Sequence, residues 1–191
     1  MKSHSISAIL GIFSLAVLAT PVIGQEPSTA TPPPPKPAQQ MLTKSLGTTA
    51  KQHKPTLVIF HATWCGWCHR LDDLMAQPPI KKIFDKNFVV LHLDVMENGE
   101  KVAQYENPGG KDLMTKLGGE KSGLPYYAWL DEKGSKLADS NAMPKDANIG
   151  YPGSAQEIDT FMALIKKTAP HLTAADETTL HDALVKNMPK Q

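Results

Sequence analysis

The chain has 191 residues, 20 of them basic and 19 acidic, giving a formal net charge of +1. That length suggests one domain with appendages, and the charge balance argues against nucleic acid or an anionic membrane surface as the main partner. Two cysteines in all do not make a disulfide scaffold.

The N-terminus reads as an export signal. Lys2 precedes an apolar run over 6–19, and Val22-Ile23-Gly24 offers a cleavage site before Gln25. The run is shorter than the roughly 20 residues of a membrane-spanning helix. An exported, periplasmic or secreted chain meets an oxidising compartment. Residues 25–39 are a Pro-rich linker that favours extended polyproline II backbone. A folded domain is expected over 40–170, followed by a helical extension over 171–191.

Residues 40–52 carry Met41, Leu42 and Leu46 on one side of a helix. The β-branched run Thr56–Phe60 reads as a buried strand. From Cys68 onward, Leu71, Leu74 and Met75 recur at helical spacing, and Pro78-Pro79 is expected to end that helix. Ile80, Ile83 and Phe84 suggest one further short turn. Phe88–Val95 is a second buried strand, and 96–110 a polar excursion. Lys111–Leu117 suits a short helix, and Gly123-Leu124-Pro125 leads into a third strand, Tyr126–Leu130. The turn Asp131–Gly134 points to a hairpin partner over Ser135–Ala138. Ser154 and Glu157 form a capping-box pattern, with Ile158, Phe161, Met162 and Ile165 as the apolar face behind it. Pro170 separates this helix from a last one, Thr173 to about Asn187. Strands alternating with helices, then a hairpin and closing helices, define an α/β fold with a central mixed sheet.

The chemistry concentrates in HATWCGWCHR, residues 61–70, which holds both cysteines. Cys65 falls where a strand ends and a helix begins. Orphan backbone N–H groups and the helix dipole favour an anion there, and the thiolate is the nucleophile of disulfide exchange. Cys68 lies one helical turn further on, within reach of a mixed disulfide. Gly66 would let the backbone turn tightly and leave Cys65 approachable. Trp64 and Trp67 would give an apolar rim suited to a polypeptide.

Two metal readings compete. Cys65-x-x-Cys68-His69 matches the attachment signature of c-type haem, with His69 as axial ligand; an electron carrier would then result. The buried strand before the motif and the hairpin after it count against that. His61, Cys65, Cys68 and His69 could also supply zinc ligands, but adjacent Cys68 and His69 point in different directions from a helix. A third alternative is a non-catalytic binding module whose dithiol stays oxidised.

Two segments carry a family resemblance. "TLVIFHATWCGWC" resembles the strand-to-active-site segment of the thioredoxin superfamily, and "SGLPYYAWLDEKG" is similar to its strand-and-hairpin segment. The resemblance covers roughly 40–168 and implies a thioredoxin-like fold. It also implies Cys65 as attacking and Cys68 as resolving cysteine, and a cis Pro125 facing the dithiol with Leu124 presenting backbone to substrate. Asn148–Pro152 looks like the family's glycine-bearing loop beside the site. The implied activity is thiol–disulfide exchange with protein disulfides or thiols, as reductase or isomerase rather than primary oxidant. It needs no dissociable cofactor and no metal, and suits a monomer reset by a separate redox partner, expected to be membrane-bound. Three positions depart from the pattern. Ile59 stands where cytosolic members carry a buried acid, Trp67 where they carry proline, and His61 where an aromatic is common. A protonated His61 near Cys65 would stabilise its thiolate.

Overall fold

The computed structural model describes residues 33–190. The expected signal segment, most of the Pro-rich linker and Gln191 lie outside them. Four strands, β1 (Thr56–His61), β2 (Val89–Asp94), β3 (Tyr126–Leu130) and β4 (Lys136–Asp139), form one sheet in the order β2-β1-β3-β4. β1 runs parallel to β2 and antiparallel to β3, which pairs antiparallel with β4 through a register shift at Trp129/Leu130.

The central strands are apolar because both sheet faces are covered. Side chains alternate across a strand, so Leu57, Ile59, Tyr127 and Trp129 enter one core while Val58, Phe60, Tyr126 and Ala128 enter another. The first core is closed by α2 (Gly66–Ala76), α3 (Pro78–Asn87), α6 (Ala155–Thr168) and α7 (Ala174–Lys186). The second is closed by α1 (Ala38–Gln52) and α5 (Gly110–Lys116).

Two expectations are revised. Pro78 and Pro79 do end α2, but they also open a full ten-residue helix, α3. Proline is tolerated in a first turn because the N–H it lacks has no intrahelical acceptor there. The 96–110 segment is less of an excursion than its polarity suggests. It contains α4 (Lys101–Tyr105), and its Glu97 and Asn107 are buried. The Asn107 side chain accepts from the Asp94 N–H (2.8 Å) and donates to the Lys36 carbonyl (2.9 Å).

The C-terminal helices start as their sequences dictate. Ser154 and Glu157 close a capping box at α6, and Thr173 and Asp176 close one at α7. Hydrogen bonds from Lys86 and Thr173 hold the Asp176 carboxyl down to about 2. Lys86 belongs to α3, so the same carboxylate that caps α7 docks it.

Candidate redox site

Strand β1 delivers the chain to Cys65 and α2 carries it away. Cys65 is the N-cap of α2, with extended backbone (φ −85°, ψ 97°), and its sulfur accepts from the Cys68 N–H at 3.2 Å. This is the usual N-cap bond with sulfur in place of oxygen. Cys65 and Cys68 are joined as a disulfide with Cα atoms 5.2 Å apart. Both are almost fully buried and pack with Ala62 against Leu124. When the pair is reduced, a Cys65 thiolate inherits the helix N-terminus and the Cys68 N–H as stabilising partners.

The flanks come from distant parts of the chain. The Leu124–Pro125 peptide is cis. Its loop is held by Asn148, whose amide donates to the carbonyls of Gly123 (2.9 Å) and Pro125 (3.0 Å). Trp64 and Trp67 are both half-exposed, 50% and 51%, so neither is core. Trp64 donates its indole N–H to the Met96 carbonyl at 2.8 Å. Trp67 stacks on Tyr151 with ring centroids 5.9 Å apart. Trp67, Leu124, Gly150, Tyr151 and Pro189 line a groove of about 400 Å³ beside the disulfide.

Gly66 takes up helical backbone, and a Cβ there would meet open space. The expectation of a tight turn is therefore corrected: no special conformation demands glycine. What its missing side chain does is leave the surface next to Cys65 clear.

His61 also has a different setting from the one expected. Its ring faces carboxylates, Asp72 Oδ2 at 3.5 Å and Asp94 Oδ1 at 3.3 Å, and lies edge-on to His92 with centroids 5.2 Å apart. His92 in turn contacts Asp72 at 3.0 Å. Burial pulls the His61 pKa down, but the contact with Asp72 and the charges of Asp94 and Glu97 raise it overall. Burial pushes Asp72 up, yet the two imidazoles hold it well below the usual carboxylate range. Asp94 moves up through burial, with Glu97 and Asp72 adding to what the imidazoles oppose. The cluster ties α2, through Asp72, to β1 and β2. His69 turns Nε2 to the Thr63 carbonyl at 2.9 Å. With the two sulfurs bonded to each other and both imidazoles turned elsewhere, His61, Cys65, Cys68 and His69 do not converge as zinc ligands.

Other residues of the site escaped the sequence reading. Glu97, buried at 6% exposure, accepts from the Thr63 N–H (2.5 Å) and the Thr63 hydroxyl (2.7 Å). Nothing in a polar excursion marks one glutamate as buried. Arg70 donates to the Asn187 carbonyl at 2.6 Å and lies 5.2 Å from the Tyr151 ring centre. Its place two residues after Cys68 was the one available clue.

Residues 38–132 match the family model described as thioredoxin-like. With the mixed sheet and flanking helices, this stretch is the body of a thioredoxin-like fold. Among curated relatives is the thiol:disulfide interchange protein TxlA homolog of Synechocystis sp. (strain ATCC 27184 / PCC 6803 / Kazusa), 26% identical over 136 residues. The match takes in 70% of this chain and 66% of that relative, just under two thirds of its length. Similar solved structures include the disulphide isomerase from Xylella fastidiosa Temecula1, 20% identical, TM-score 0.47, over 78% of this chain and 89% of that one. Another is the DsbH oxidoreductase, 18% identical, TM-score 0.45, over 78% and 95%. The matched stretch runs from α1 past β3 and takes in both cysteines, which are paired as a disulfide at the head of α2.

Proposed function

We propose that the protein is an exported thiol–disulfide oxidoreductase that exchanges the Cys65–Cys68 couple with protein substrates, as reductase or isomerase. The observation that carries this is Cys65 at the N-cap of α2 with the Cys68 N–H on its sulfur. It is where a thiolate is best stabilised, and its partner lies one turn inside the helix.

In the reductive direction the Cys65 thiolate attacks one sulfur of a substrate disulfide. The substrate's S–S bond breaks, a mixed disulfide forms, and the other substrate sulfur leaves as thiolate. Cys68 loses its proton to solvent and attacks Cys65 Sγ. The mixed disulfide breaks, the second substrate thiol leaves, and the Cys65–Cys68 bond forms. Two electrons have passed to the substrate. A dithiol donor, expected to be membrane-bound, must return them before the next cycle. Isomerisation shares the first step, but another thiolate of the substrate, in place of Cys68, breaks the mixed disulfide and Cys65 leaves as thiolate. The half-exposed tryptophans and the cis-proline loop suit a polypeptide.

Insulin reduction tests the reading. The wild-type chain should accelerate it, Cys65→Ser should abolish the acceleration, and Cys68→Ser should accumulate mixed disulfides through Cys65. Full activity in Cys65→Ser would sink the proposal. A glutathione titration gives the direction: about −270 mV indicates a reductant and about −120 mV an oxidant.

A further inference from the structure

The chain beyond α7 returns to the redox site. The Asn187 carbonyl accepts two hydrogen bonds, from the Arg70 guanidinium at 2.6 Å and from the Tyr151 hydroxyl at 3.1 Å. Arg70 sits on the CxxC helix, with its guanidinium carbon 5.9 Å from the Trp67 ring centre and 5.2 Å from that of Tyr151. Trp67 and Tyr151 are themselves stacked. One cation therefore braces two aromatic rings and fastens a backbone carbonyl 117 residues away in sequence. Beyond that carbonyl, Pro189 lies over Gly153, where a Cβ would come within 3.3 Å of the proline ring. Pro189 forms one wall of the groove whose other walls include Trp67, Leu124 and Tyr151. Leu124 also packs on the two cysteines, so the groove is continuous with the disulfide.

We propose that Arg70 is a positioning residue that latches Asn187–Pro189 to the CxxC helix, so that this C-terminal segment becomes a substrate-selecting wall of the site. The inference rests on the oxidoreductase reading above. The occupant is an extended polypeptide segment that brings an apolar side chain next to its disulfide cysteine. The aromatic pair and Pro189 offer an apolar surface with little side-chain freedom to lose on binding. A small disulfide such as oxidised glutathione carries no leucine-sized apolar side chain to set against Pro189. Arg70 suits the latch because its planar guanidinium can stack and donate at once, which a lysine ammonium cannot.

The test is a pair of single-turnover rate constants on the full chain, reduced beforehand: one with a disulfide-bonded peptide carrying a leucine beside its cysteine, one with oxidised glutathione. The ratio of peptide rate to glutathione rate is the readout, because a general loss of stability or a changed Cys65 pKa moves both rates together. Arg70→Met should lower the ratio at least fivefold, with Arg70→Lys restoring little of it. Tyr151→Phe removes one of the two bonds to Asn187 and should lower it about twofold. It also decides the matter if Arg70→Met fails to fold. A ratio unchanged in both variants, or two rates falling in parallel, overturns the latch. A wild-type chain that reduces neither disulfide overturns the oxidoreductase reading instead.

Discussion

Trp64 and Trp67 are equally exposed and flank the same pair of sulfurs, yet they are held by opposite means. Trp64 is tethered through its one polar atom, to the Met96 carbonyl. Trp67 is held through its face, stacked on Tyr151 and flanked by Arg70. The tether belongs to the segment between β2 and α5, and the stack to the loop before α6 and the chain after α7. Two parts of the sequence that look like additions to the fold therefore each brace one side of the site. A hydrogen bond fixes direction and leaves the ring face free. A stack uses one face and turns the remaining edge into a groove wall.

The comparison can be broken on either side. The largest expected effect is at Glu97→Ala, which strips Thr63 of two charge-assisted acceptors just before Trp64; about 2 kcal/mol of stability should go, read by urea unfolding. Trp67→Ala removes a groove wall, and peptide exchange should slow roughly tenfold, about 1.4 kcal/mol, by single-turnover kinetics. Trp64→Phe deletes only the indole donor; about 1 kcal/mol or less is expected, with peptide exchange within about twofold of wild type. If Trp64→Phe costs as much exchange as Trp67→Ala, the two sides are functionally alike and the distinction fails.

The smallest effect concerns pH. Asp72 has a folded pKa below its ordinary 3.8, so its share of stability is present above that value and lost as pH falls through the folded pKa. His61 is raised from 6.5, so its share is complete below 6.5 and lost as pH rises through the folded pKa. Asp72→Asn should flatten the acid limb of a denaturation series and bring the His61 limb to lower pH. An unchanged acid limb would show that the cluster does not link α2 to the sheet.

Much of this was legible from residue order alone. Apolar runs gave β1, β2 and β3, the Ser154–Glu157 capping box marked where α6 begins, Pro170 set α7 apart, and the CxxC after a strand located the chemistry. What stayed hidden was long-range. Glu97, Arg70, Asn187 and Pro189 have no local pattern, because their partners lie 34 to 117 residues away. His61 was legible as a position but not as a contact, since Asp72 and Asp94 reach it from α2 and β2. Gly66 was noticed for two reasons and keeps one: absent bulk beside Cys65, not backbone freedom.

One feature of the sheet bears on how partners can approach. β4 is only four residues long, carries the Lys136–Asp139 ion pair and joins β3 through a register shift. At the opposite margin, Asn107 takes up the Asp94 N–H with its side chain and gives its own N–H to the Asp94 carbonyl. A short, charged, bulged border on one side and a plugged end on the other make poor templates for an added strand. An incoming strand finds neither border open, so the sheet resists serving as the template for a growing aggregate.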